Sequence, residues 1–274
     1  MKQKRFTGKV ALITGSARGI GKNIARAFGQ EGAHVAICDI NLEDGKATEK
    51  EFVDEGISAG FFHIDLSIRG KPQAMVQQVT GRYGRIDILV NNAHSGKHAS
   101  LLEEDDDSWE NGVSVTLRAA FFSSQEAIRV MSQAEGGNIV NISSVLAFLS
   151  CHKSPIYHIA KAGLVQMTRY LADHAGKCGV RVNAVSPGFI IQDEHKMRYE
   201  RDDNQRFREV AEFCHPLRHL GCSDDVANAV LFLCSPEASF ITGQNIIVDG
   251  GLTIQEQNNL VFRSNRDNKG EKGI

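Results

Sequence analysis

The chain has 274 residues, 42% hydrophobic and 23% charged, which suffices for a sizeable core in one large α/β domain or two small ones. A formal net charge of −2 gives no reason to expect nucleic acid or a membrane surface as partner. The opening MKQKRFTGKVALITG has no apolar signal core, there is no run of about 18 apolar residues, and the six cysteines show neither Cys-x-x-Cys nor zinc spacing; a cytoplasmic chain with reduced thiols is expected.

The run KVALIT at 9–14 is short and apolar and predicts a buried strand. It leads into Thr14-Gly15-Ser16-Ala17-Arg18-Gly19-Ile20-Gly21, after which Ile20, Ile24, Ala25 and Phe28 recur at helical spacing. Strand, glycine-rich turn and helix, in that order, form the context in which glycines hold a dinucleotide. Gly15 would make the tight turn, Gly19 would admit a pyrophosphate and Gly21 would let the helix pack closely, with unpaired helix N–H groups facing the phosphates. The competing reading is a plain loop. A second strand, AHVAIC at 33–38, ends in Asp39. A carboxylate there accepts hydrogen bonds from the adenosine ribose hydroxyls and repels a 2′-phosphate, so NAD is expected over NADP. Ile40 and Asn41 add no cation to neutralise such a phosphate. The alternative role for Asp39 is to cap the next helix.

The alternation continues. Strands are predicted at 59–64, ending in Asp65-Leu66; at 86–90, ending in Asn91-Asn92-Ala93; at 138–142, ending in Ser143-Ser144; at 180–185, closed by Ser186-Pro187-Gly188; and at 245–248. Helices are predicted at 71–83, about 108–133, 156–176 and 224–233, the last with Ser223 as its N-cap. Seven strands separated by helices predict a parallel sheet in one domain over 1–254. The charged segment 190–214 is a candidate substrate lid, and the polar stretch 255–274 a flexible tail or an arm to a neighbouring subunit. The acidic run 103–107 reads as a solvated helix start. His94/His98 and His215/His219 are spaced by four, but no carboxylate or cysteine completes either pair, and no metal is expected.

Tyr157 and Lys161 are four apart on the helix at 156–176, and Ser144 lies thirteen positions before Tyr157, just beyond a strand's carboxyl end. A phenol titrates near pH 10; a nearby ammonium favours the phenolate, and a serine hydroxyl can hold a carbonyl or alcohol oxygen beside it. That is an acid/base pair suited to chemistry at a C–O centre.

These motifs, in this order, resemble the short-chain dehydrogenase/reductase family over about residues 7–252. The matches are TGSARGIG, Asp39, Asp65-Leu66, Asn91-Asn92-Ala93, NISS with Ser144, Tyr157/Lys161, Asn183 to Gly188, and ITGQ before DGG. The resemblance implies a single-domain Rossmann-type doubly wound sheet with helices on both faces, and NAD(P)-dependent interconversion of a secondary alcohol and a ketone. Tyr157 would be the general acid/base, Lys161 would lower its pKa and hold the nicotinamide ribose, and Ser144 would position the substrate oxygen. The cofactor would lie along Gly15, Ser16, Arg18, Gly19, Ile20 and Gly21, with Asp39 and Ile40 at its ribose. Asp65 and Leu66 would reach its adenine, Asn91 and Ala93 would run beside it, and Pro187, Gly188 and Ile190 would face its nicotinamide. Family members pair into tetramers or dimers through the helices that here span about 108–133 and 156–176.

Three positions depart from the family pattern. Thr116, seven residues after Trp109, replaces the asparagine of a proton relay, so Thr116 is taken as the fourth catalytic position, with a rerouted relay. His94 replaces the glycine of NNAG, and either shifts the backbone or touches cofactor or substrate. Gln192 replaces a threonine and offers its amide to the nicotinamide carboxamide. Thr116 and His94 keep a second reading open, a dinucleotide-binding protein with weak or no catalysis. The segments that shape the substrate pocket in the family contain His94, Lys97, His98, His152, Lys153, His195, Lys196 and Arg198 beside apolar Leu146, Phe148 and Leu149. They suggest a polar, sugar-, polyol- or acid-like substrate met by His94, Leu146, Cys151, Phe189 and His195, with a 3-oxoacyl group as the alternative. Cys151 has no base at a defined spacing, so no nucleophilic role is expected of it.

Overall fold

In a computed structural model, which describes residues 4–95, 99–152 and 154–267, alternation along the first strand sets up two apolar layers. In β1 (Val10–Thr14), Ala11 and Ile13 enter one layer while Val10 and Leu12 enter the other, because successive side chains of a strand point to opposite faces. The first layer is completed by Ile24 and Phe28 of α1 (Gly19–Gln30), Phe52 of α2 (Leu42–Asp54) and Val226 and Val230 of α9 (Ser223–Cys234). The second takes Met75 and Val79 of α3 (Lys71–Tyr83), Met131 of α5 (Ala119–Met131) and Leu171 of α6 (Pro155–Ala175).

The sheet has seven parallel strands in the order β3-β2-β1-β4-β5-β6-β9, with β2 (His34–Asp39), β3 (Ala59–His63), β4 (Ile88–Asn91), β5 (Gly137–Ile142), β6 (Val180–Pro187) and β9 (Asn245–Val248). The chain runs outward from β1 to β3 and then returns to add β4 on the other side of β1. That reversal opens a crevice beyond the carboxyl ends of β1 and β4, where open α/β sheets bind ligands. The predicted doubly wound parallel sheet is therefore the observed one.

Several boundaries differ from expectation. The helix predicted at 108–133 is α4 (Asp106–Gly112), a π-helical turn (Val113–Arg118) and α5 in succession. The cap of α9 is Cys222: its backbone is still extended, and its N–H donates to Asp225 Oδ2 at 2.8 Å, while Ser223 is already helical. Asn41, rather than Asp39, caps α2, its Oδ1 accepting from the N–H groups of Glu43 and Asp44. The segment predicted as a lid folds into β7 (Ile190–Ile191), α7 (Asp193–Tyr199) and α8 (Gln205–Phe213), with β7 paired to β8 (Gly221–Cys222). The polar tail forms α10 (Gln257–Asp267). Lys97, His98 and Lys153 lie outside the described residues.

Candidate active site

The crevice floor is built from main chain and small residues. Thr14 Oγ1 accepts the N–H groups of Asn92 and Ala93, each at 3.0 Å, and Asn92 Nδ2 donates to the carbonyls of Thr14 and Gly15 at 2.9 and 2.8 Å. This stitch, made by two residues the sequence reading gave no role of their own, pulls the ends of β1 and β4 together. A Cβ on Gly15 would lie 2.9 Å from Ala93 Cα, and one on Gly21 would collide with the Gly15 carbonyl. Gly15 and Gly19 also hold φ of +63° and +58°, which side-chain-bearing residues rarely adopt. At the start of α1, Arg18 takes the cap position without a side-chain cap and the first turn has no acid, so its N–H groups remain available to an anion. N–H donors that no side chain caps, over a floor at Gly15 and Gly21 that no Cβ can occupy, fit the diphosphate of a dinucleotide. Ser16 is turned inward, its hydroxyl donating to the Ile13 carbonyl and accepting the Cys38 N–H, so its side chain offers the crevice nothing.

Asp39 stands at the end of β2 with Oδ2 accepting the Ala17 N–H and Oδ1 the Asn41 N–H, both at 3.0 Å. With Asn41 as the helix cap, its carboxylate is held beside the glycine loop, and the adjacent Ile40 is exposed. Asp65 accepts from Ser67, while Leu66 is buried in the second apolar layer. The Asn91 side chain is also turned into the protein, donating to Asn141 Oδ1 at 2.8 Å and Ser124 Oγ at 3.0 Å. Asn141 in turn donates to Thr168 Oγ1, tying β4 and β5 to α6. At the other side, Pro187 ends β6, and a Cβ on Gly188 would come within 2.6 Å of Asp249 Cβ.

The proton-handling groups meet where β5 faces α6. Lys161 Nζ donates to the Ile142 carbonyl at 2.7 Å, and Ser143 Oγ donates to the Lys161 carbonyl at 2.7 Å, so strand end and helix are fixed to each other. Ser144 Oγ accepts the Leu146 N–H at 3.1 Å and is hydrogen-bonded to the Tyr157 phenol. Lys161 Nζ lies 5.5 Å from the centre of the Tyr157 ring. The structure thus brings Ser144, Tyr157 and Lys161 together. It also corrects the expected direction of one titration. Burial pushes the Tyr157 phenol up and outweighs the downward pull of Ser144, while burial alone draws Lys161 down to about 7. In the bare protein both charged forms are disfavoured; polar groups brought beside them by a ligand favour the charged forms again.

Around this trio, His94 places its ring edge-on to Tyr157, 5.7 Å between centres. Thr116 is buried in the π-helical turn, its Oγ1 accepting the Ser95 N–H at 3.2 Å, so it anchors the segment that carries His94. π-Helical turns recur at functional sites, and this one holds Thr116 against the Ser95 backbone. Cys151, expected to lack a base, has His158 Nε2 3.8 Å from its sulfur and accepting its N–H at 3.2 Å; the first turn of α6 brings the imidazole back over the loop.

The remaining predicted substrate residues are spread over the turn after Ser144 and the region from Phe189 to α7. Leu146 lies in the turn after Ser144, and Phe189 packs on Phe207 of α8, 5.6 Å between rings. His195 is exposed near the start of α7, whose Asp193 accepts from Asn23 Nδ2 of α1 at 2.9 Å. Gln192 lies over Gly19, the glycine expected to admit the pyrophosphate. The start of the 190–214 segment is therefore docked across the glycine loop.

An open parallel sheet with a glycine cradle at its switch point and a Ser/Tyr/Lys cluster beside it defines a nucleotide-binding α/β protein with acid/base groups. Comparison with known proteins narrows the class. The profile described as Enoyl-(Acyl carrier protein) reductase, of the short-chain dehydrogenase/reductase family, matches residues 15–253. The 3-oxoacyl-[acyl-carrier-protein] reductase FabG of Chlamydia pneumoniae is 35% identical over 248 residues, covering 90% of this chain and 98% of that protein. FabG of Thermotoga maritima is 38% identical over 252 residues, covering 91% and 100%. A crystal structure from Sinorhizobium meliloti 1021, provisionally described as a short-chain alcohol dehydrogenase, superposes with a TM-score of 0.85 at 31% identity, covering 93% of this chain and 100% of that one. The chain belongs to the short-chain dehydrogenase/reductase family, whose members are oxidoreductases that bind nicotinamide dinucleotides. Among the described residues, no helix is long and apolar enough to cross a membrane.

Proposed function

We propose that this protein is an NAD-dependent oxidoreductase interconverting a secondary alcohol and a ketone, with Tyr157 as the general acid/base. The observation that carries the reading is the hydrogen-bonded Ser144–Tyr157 pair beside a buried Lys161, next to a glycine cradle on the same crevice. A bound NAD would supply the hydride acceptor for the carbinol carbon, and its reduced form the hydride donor for the ketone. Gly15, Gly19 and Gly21 give backbone access to the diphosphate, and Asp39 takes the ribose hydroxyls and opposes a 2′-phosphate. Ser144 orients the substrate oxygen, and Tyr157 takes its proton on oxidation and gives it back on reduction. Lys161 holds the nicotinamide ribose and, once charged, favours the phenolate. Thr116 keeps the His94 segment in register against Tyr157.

The imidazole of His94 beside the phenol supports a substrate with a polar or acidic group near its carbinol. A second reading, reduction of a 3-oxoacyl thioester, is favoured by the two relatives that carry that name. The alternative of a binding protein without catalysis has less support, since it needs no tyrosine held between a serine and a buried lysine. We extend the proposal to a cytoplasmic homo-oligomer, a tetramer or dimer; Ile159 and Tyr170 on α6, half exposed in the single chain, support a face covered by a second copy.

Assays of the purified protein with NAD, NADP and their reduced forms, against sugar, polyol and hydroxy-acid substrates and a 3-oxoacyl thioester, test the proposal. Turnover with NAD on a hydroxylated or acidic alcohol, lost in Tyr157→Phe, is the expected outcome. Efficient turnover only with long apolar ketones, or tighter binding of NADP than NAD, overturns the substrate or the cofactor assignment respectively.

A further inference from the structure

The helix that carries Tyr157 is not capped by its own residues. Ser154 stands at the N-cap of α6 with φ −46° and ψ 130°, yet its side chain makes no bond to its own helix. Its hydroxyl instead donates to Glu104 Oε2, from a residue fifty positions earlier in the chain. The Ile156 N–H, at the second helical position, faces the same carboxylate. The second carboxylate oxygen is shut off from solvent and is met by the Ser108 hydroxyl in a contact looser than a full hydrogen bond. A carboxylate that takes the N-cap hydroxyl and faces an N-terminal amide does from outside what a local cap does from within. Its charge also suits the positive end of the helix. Burial opposes ionisation of Glu104, but the Ser108 and Ser154 hydroxyls and the Ile156 N–H facing it prevail and hold its carboxyl below the usual range. Within the acidic run 103–107, Asp105 caps α4 through the Ser108 N–H, whereas Glu104 reaches across to the start of α6.

Resting on the reading of Tyr157 as the acid/base, we propose that Glu104 is a positioning residue for that centre, an external cap that fixes the first turn of α6 and with it the phenol against Ser144. Tyr157 is the third residue of that turn, so a frayed first turn displaces the phenol directly. The carboxylate acts in two separable ways. As an acceptor it orders the turn. As an anion it offsets part of the positive helix end and so weakens that end's pull toward the phenolate. The other groups facing the phenol are Lys161 on α6, Ser144 and Cys151 from the β5–α6 connection, the His158 ring and the His94 ring. Asp105 is the charged neighbour of Glu104 itself.

The test compares Glu104→Gln and Glu104→Ala with the wild type in complex with NAD, each paired with the same protein carrying Tyr157→Phe. Ultraviolet difference titration within each pair reads the Tyr157 phenol alone, and amide hydrogen exchange reads residues 156–159. Glutamine keeps the acceptor: first-turn exchange stays within twofold of wild type, and the phenol midpoint falls by about half a pH unit. Alanine removes both: exchange rises about five- to tenfold, and NAD affinity stays within threefold. A wild-type phenol midpoint in the glutamine variant, or wild-type exchange in the alanine variant, overturns the proposal. If the alanine variant does not fold, the glutamine titration decides alone. Unchanged turnover in Tyr157→Phe would sink the acid/base reading instead, without altering these two readouts.

Discussion

The two halves of the crevice are built on different principles. On the β1–α1–β2 side, backbone supplies the site: three glycines, the free N–H groups of α1 and one strand-end carboxylate. On the β5–α6 side, side chains from separate parts of the chain converge on one phenol: Ser144 from beyond β5, Lys161 from α6, His94 from the end of β4, with Thr116 and Glu104 as supports. The first half depends on what is missing from its residues, the second on what each residue carries. Substitutions should therefore fail differently in the two halves.

The largest effect is expected on the side-chain half. Ser144→Ala removes the donor to the substrate oxygen and should lower kcat about a hundredfold or more, with NAD affinity unchanged by calorimetry. A comparable loss of NAD binding would mean that the two halves are not separable. Next, Gly21→Val drives a side chain into the Gly15 carbonyl and the Asn92 amide. It should weaken NAD binding at least about tenfold and lower the melting temperature, since overpacking costs about 1–3 kcal/mol. Unaltered binding would mean that the glycine cradle is not where the dinucleotide lies.

Asp39→Ala should then narrow the preference for NAD over NADP by about three- to tenfold in direct titrations, because one repulsive carboxylate is removed and no cation is added. An unchanged ratio would relocate the ribose. A separate effect falls on stability. Lys161 is drawn from its ordinary 10.5 to about 7 by burial, so between those values the unfolded chain binds the extra proton. The penalty on folding is complete below about pH 7 and fades as pH rises toward 10, by up to about 1.4 kcal/mol per unit. Lys161→Met should accordingly raise the melting temperature more near pH 6 than near pH 9. A gain that grew with pH would contradict burial as the cause.

The same division explains what could be read in the sequence. The strand and glycine-loop order, Asp39 and the Tyr157/Lys161 spacing are local patterns, and each reappears in the fold. The Ser144–Tyr157 contact needed only a strand end followed by a helix. Glu104 was hidden in an acidic run that reads as solvent-facing, since nothing local marks a bond to Ser154 fifty residues on. The Cys151–His158 contact was hidden because the intervening turn reverses the chain. The π-helical turn was missed because the helical pattern of 108–133 continues through it, while the Thr116 bond to Ser95 made from it is tertiary.

One paired measurement bears most directly on the separation of a cofactor-holding half from a proton-handling half: calorimetric titration of NAD into wild type and Tyr157→Phe, with turnover recorded on the same samples. The separation predicts NAD affinity within about twofold and turnover reduced by about 10²- to 10⁴-fold. Turnover that survives the substitution, or NAD binding that vanishes with it, would contradict the account.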